Sequence, residues 1–110
     1  MARDTTDNRL IEDNSQLLGW LTHGCKPKSE WRIGTEHEKF GFCMTSHKPV
    51  PYEGERGIAA ILEALESESG WERIEDEGRI IGLYNPVEGG AISLEPGGQF
   101  ELSGAPLETL

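Results

Sequence analysis

Basic residues are scarce in this chain: ten Lys and Arg stand against twenty Asp and Glu in 110 residues, a formal net charge of −10. Nucleic acid is gripped mainly by cationic side chains on its phosphates, and anionic membrane surfaces recruit basic clusters, so neither is an expected partner. If such an acidic protein handles phosphates, it needs a metal ion to screen the repulsion. Cysteine is almost missing too. Cys25 and Cys43 have no CxxC spacing and no histidine-rich company, which argues against a zinc or disulfide framework and for reduced thiols. No apolar run approaches the roughly 20 residues that span a bilayer; the longest, residues 57–62 and 80–84, are the size of single elements. No apolar run follows the charges near Met1, so a secretory signal is not expected. The acidic Asp4 and Asp7 weigh against a transit peptide. The expected location is therefore cytoplasmic. A Walker-type loop, Gly-x-Ser-x-Gly and paired Cys/His motifs are all lacking, which leaves nucleophilic catalysis without support.

The length suits one domain, and no repeat or linker divides it. Apolar side chains make up only 35% of the residues while glycine contributes 14 of them, so the core is thin. Residues 9–23 predict a helix, with Leu10, Leu17, Leu18 and Leu21 near one face and Gly24 and Pro27 as stop signals. Residues 31–42 read as a strand. A clearer helix covers residues 58–68, where Ile58, Ile61, Leu62 and Leu65 recur at helical spacing and Glu63, Glu66 and Glu68 lie off that stripe. Residues 53–77 hold nine acidic and two basic side chains, the pattern of a solvated helix face and its flanks. Short strands are expected at residues 71–74, Arg79–Tyr84, Ala91–Glu95 and Gln99–Ser103. Helices followed by clustered strands predict an α+β fold with an antiparallel sheet and flanking helices.

Two constellations carry chemistry, and both are built from carboxylates. In Gly34-Thr35-Glu36-His37-Glu38-Lys39-Phe40, an extended chain sets Glu36 and Glu38 on one face, about 6.6 Å apart. Neighbouring carboxylates repel unless a cation lies between them, and Mg²⁺ suits oxygen ligands beside substrate phosphates. The same pattern also fits an ordinary half-exposed strand. His37 falls on the opposite face. In residues 92–103, odd positions give Ser93, Glu95, Gln99, Glu101 and Ser103, whereas even positions give Ile92, Leu94, Phe100 and Leu102. Whether Pro96-Gly97-Gly98 interrupts one long strand or turns a hairpin, Glu95, Gln99 and Glu101 share the polar face. An amphipathic strand facing water has the same signature.

Residues 24–28, 31–42 and 92–110, containing Gly34-Thr35-Glu36-His37-Glu38 and Glu95-Pro96-Gly97-Gly98-Gln99-Phe100-Glu101, closely resemble the glutamate–cysteine ligase family, in the branch shared by plants and many proteobacteria. The resemblance implies a glutamine synthetase-like catalytic fold, an antiparallel sheet curled into a cone with helices outside and the nucleotide inside. It implies an ATP-dependent ligase that joins the γ-carboxylate of glutamate to the amine of cysteine through an acyl phosphate, the first step of glutathione biosynthesis. By the same analogy Glu36, Glu38, Glu95 and Glu101 are metal ligands for Mg²⁺, and Gln99 is a ligand or contacts glutamate or nucleotide. Family members are much longer. The whole chain, residues 1–110, is therefore expected to be one partial domain, the amino-terminal segment of a larger catalytic domain whose remainder is its partner. The cationic groups for the substrate carboxylate and ATP phosphates are not recognisable within it, and Arg32 and Lys39 do not fill that role alone. The alternatives are a non-enzymatic acidic module binding a divalent metal or a protein partner, and a related carboxylate–amine ligase with another acceptor.

Overall fold

The computed structural model describes residues 8–109. Five strands form one antiparallel sheet in the order β1-β5-β4-β3-β2: β1 Glu36–Phe40, β2 Glu72–Asp76, β3 Arg79–Tyr84, β4 Ala91–Glu95 and β5 Gln99–Ser103. Two α-helices accompany it, α1 Asn14–His23 and α2 Ile58–Ser69. The α+β expectation is met. No helix among the described residues is long and apolar enough to cross a membrane.

Helix α2 lies over one face of the sheet because its apolar stripe has nowhere else to go. Among the described residues, Ile58 and Leu62 meet Ile80 and Leu83 of β3 in a core of four buried hydrophobic residues, extended by Ile92, Leu94, Phe100, Tyr52 and Trp71. The Tyr52 hydroxyl donates to the Ile80 carbonyl at 2.8 Å, which ties the segment before α2 to the sheet. The helix closes at Gly70, which adopts the left-handed conformation (φ 69°) that favours glycine. Beyond it Arg73 of β2 reaches back to α2 and binds Glu66 through Nε and Nη2, the shortest contact being 2.6 Å. Those hydrogen bonds, with the guanidinium charge, hold the Glu66 carboxyl below the usual carboxylate range.

Ile80 and Leu83 are three apart yet both face α2, which simple alternation forbids. A bulge resolves this: Ile74 pairs with Gly82 and Glu75 with Ile80, so Ile81 is the extra residue and turns to the other face. Strands β2 and β3 join through Glu77 and Gly78, both with positive φ (48° and 75°), as a two-residue hairpin requires. Strands β4 and β5 join through Pro96-Gly97-Gly98, with positive φ at both glycines, so this segment is a hairpin rather than one long strand.

Two elements differ from the sequence expectation. Helix α1 begins at Asn14 instead of residue 9, since the Asp13 carboxylate accepts from the backbone N–H groups of Ser15 and Gln16 and caps it there. Leu17, Leu18 and Leu21 are exposed, and no α1 residue is buried. The spacing marked an amphipathic face without specifying a surface to cover it. The strand expected over residues 31–42 shortens to β1, preceded by a 3₁₀ turn at Lys28–Glu30. Ile33 still forms an isolated bridge to Leu107.

Candidate functional site on the open face of the sheet

Directly opposed residues in an antiparallel pair project from the same face. The register therefore fixes where each acid stands. Glu38 of β1 opposes Glu101 of β5, which opposes Ser93 of β4 on its other side. One step along, Glu36 opposes Ser103, and Ser103 opposes Ala91. One step the other way, Phe40 opposes Gln99, and Gln99 opposes Glu95. Glu36, Glu38, Glu95, Gln99 and Glu101 thus share the face turned away from α2, with Ile92, Leu94 and Phe100 on the reverse. His37 opposes Leu102 on that reverse side.

Glu36 and Glu38 are exposed, while Glu95, Gln99 and Glu101 are half-buried. Two hydroxyls stand among them. The Ser103 hydroxyl donates to Glu101 Oε1 at 2.6 Å, and the Ser93 hydroxyl reaches Glu95 Oε1 at 3.4 Å. Ser93 is the one buried polar residue among those described. Gly82, opposite Ser93, closes the row: a Cβ there would lie 2.4 Å from the Ile92 carbonyl oxygen. The close approach of β3 and β4 at this row requires glycine.

A hollow of about 930 Å³ opens on this face beside Glu36, Ile81, Tyr84, Ala91, Ser93 and Ser103. Of the five residues singled out from sequence, Glu36 lines it and the other four lie on the same face beyond it. Tyr84 and Glu72, directly opposed on β3 and β2, hydrogen-bond through the phenol and carboxylate. Sequence reasoning missed Ile81, Tyr84 and Glu72. In residues 79–84 both parities are mostly apolar, so alternation carries no signal, and the bulge that assigns the faces leaves no local mark.

The donors are of the kind Mg²⁺ takes: carboxylate oxygens, an amide oxygen and hydroxyls. Among the described residues no three His, Cys, Asp or Glu side chains converge tightly enough to enclose an ion by themselves. Mg²⁺ beside phosphates commonly takes only one or two carboxylates, with phosphate oxygens and water completing the octahedron. The donor set fits that mode.

Residues 32–110 match the model of glutamate-cysteine ligase family 2. The chain belongs to that family. Among relatives, the chain is 53% identical over 94 residues to glutamate–cysteine ligase B, chloroplastic, of Oryza sativa subsp. japonica, covering 86% of this chain and 18% of that protein. Identity is 52% to the chloroplastic glutamate–cysteine ligase of Solanum lycopersicum and 50% to that of Arabidopsis thaliana, with 86% of this chain and 17% of each relative covered. The chain thus spans less than a fifth of the length of these relatives. Their names also correct the cytoplasmic expectation, because each is called chloroplastic. Compartment is set by an address separate from the catalytic sequence, so acidic residues near Met1 were a poor guide to it.

Away from the sheet face, Cys43 is exposed and its thiol is lowered to about 7, first by a hydrogen bond from the Ser46 hydroxyl, then by the backbone N–H groups of Ser46 and Thr45, with the Arg56 charge adding to them. The thiolate is the reactive form. Alkylation of Cys43 by iodoacetamide, followed residue by residue by mass spectrometry, is expected to reach half its maximal rate near pH 7. Ser46→Ala should move that midpoint upward; an unmoved midpoint would remove the hydroxyl as the cause.

Proposed function

We propose that this chain is the amino-terminal part of a glutamate–cysteine ligase, one partial domain whose catalytic unit is completed by further polypeptide. The observation that carries the reading is the gathering of Glu36, Glu38, Glu95, Gln99 and Glu101 on one face of the sheet, in a chain of this family. A carboxylate oxygen is a poor leaving group. The γ-carboxylate of glutamate therefore attacks the terminal phosphorus of ATP, ADP departs, and an acyl phosphate forms. The cysteine amine then attacks the acyl carbon, phosphate leaves with the bonding pair, and the nitrogen loses a proton. The protein's task in both steps is positioning and charge stabilisation. Glu36, Glu38, Glu95 and Glu101 would hold Mg²⁺ ions, one or two carboxylates to each, whose charge would screen the phosphates from this acidic chain. Gln99, beside Glu95, would add an amide contact to the ion or to a substrate.

The test is a coupled ADP-release assay on the full-length protein. ADP release should require glutamate, cysteine and Mg²⁺ together. Release with glutamate and a different amine, and none with cysteine, would point to another acceptor. No ATP turnover under any combination would leave the non-enzymatic module standing.

A further inference from the structure

We propose that Ser103 is a positioning residue for the metal site: its hydroxyl sets the Glu101 carboxylate in the orientation from which, with Glu38, it receives a hard divalent cation. The inference rests on the reading of Glu101 as a metal ligand.

Glu101 stands at the centre of the patch. Glu38 opposes it on one side and Ser93 on the other, and Ser103 follows two residues along β5 on the same face. A glutamate has three rotatable bonds, and a like charge directly across the strand pair drives its head away from Glu38. Ser103 restrains that head with a short bond from its Oγ to Glu101 Oε1, at 2.6 Å. Its own place is well determined, since it is half-buried and paired on both sides, with Glu36 on β1 and Ala91 on β4. The bond takes one of the roughly four lone-pair directions of the carboxylate. It also removes, before the ion arrives, part of the side-chain freedom that metal binding would otherwise have to remove. A hydroxyl can do this without adding charge. A cationic partner at the same position would neutralise the carboxylate and compete with the ion.

The experiment separates the hydroxyl from the shape of the side chain. Thr and Val are nearly isosteric and both favour strands, so Ser103→Thr keeps the donor and Ser103→Val removes it. Mn²⁺ serves as the probe, and its binding to the full-length protein is followed by loss of the free-ion paramagnetic resonance signal, with Glu101→Gln alongside. Ser103→Thr should bind as the wild type does, whereas Ser103→Val should bind about tenfold more weakly or worse. In turnover, the Val variant should need more Mg²⁺ for half-maximal rate while keeping its rate at saturating Mg²⁺. Equal affinity in the Thr and Val variants, whether both retained or both lost, overturns the proposal. If that happens while Glu101→Gln still loses Mn²⁺, the metal site stands and only the clamp falls. If Glu101→Gln binds Mn²⁺ as the wild type does, the reading of Glu101 as a ligand falls, and the clamp with it. Should circular dichroism show that Val disturbs the strand, Ser103→Ala is read against Thr by the same criteria.

Discussion

Glu38→Gln in the full-length protein is expected to lower kcat by about a hundredfold or more while leaving the melting temperature unchanged or slightly raised. The two effects have one cause. Glu38 faces Glu101 directly across β1 and β5, and like charges so placed oppose strand pairing. The amide has nearly the shape of the carboxylate and removes one charge from that pair, so the apoprotein gains. The same substitution takes away a charge proposed to hold the cation beside the transferring phosphoryl group. Function and stability then move in opposite directions, as they do where a site is kept at the expense of the fold. Glu36→Gln, opposite the uncharged Ser103, relieves only the more distant repulsion along β1 from Glu38 and should show the loss of rate with a smaller gain in stability. Melting curves and ADP release on the same preparations check both. Wild-type turnover in Glu38→Gln would remove this residue from the site, and a large fall in melting temperature would make its role structural.

Leu83→Ala is the substitution expected to cost the fold most, about 3 kcal/mol within the usual range for a buried leucine. Among the described residues, Leu83 and Leu62 are the two large side chains with no exposure at all, one on the sheet and one on α2. With only four buried hydrophobic residues in the core among the described residues, little surrounding mass can collapse into the space left behind. The loss is a large share of the about 5–15 kcal/mol that separates folded from unfolded in a typical domain. Leu18→Ala on α1 is the matched control. Leu18 is 63% exposed, and its truncation should change stability by no more than about 0.5 kcal/mol. Urea midpoints for the two variants test the contrast; equal midpoints would mean that α2 is not held by this core.

The β4–β5 hairpin shows what a sequence reveals well. Ser93, Glu95, Gln99 and Glu101 alternate with Ile92, Leu94, Phe100 and Leu102 without exception, so either connection through Pro96-Gly97-Gly98 gives the same two faces. Strand β3 is the opposite case. Its residues are nearly all apolar, and the turn of Ile81 toward the open face depends on a bulge formed against β2. Helix α1 fails differently, for its leucines have the right period and no partner among the described residues.

By itself, then, the sequence determined the α+β class, the strands Arg79–Tyr84, Ala91–Glu95 and Gln99–Ser103 to the residue, and the membership of the polar face within each strand. These depend on side-chain period, which is a local property of the chain. Only the tertiary structure decided that β1 lies beside β5, so that Glu38 meets Glu101 and Glu36 meets Ser103, although nearly sixty residues separate the strands. Register across such a distance is chosen by the packing of the whole sheet against α2 and by the turns that align it, and no spacing within either strand encodes it.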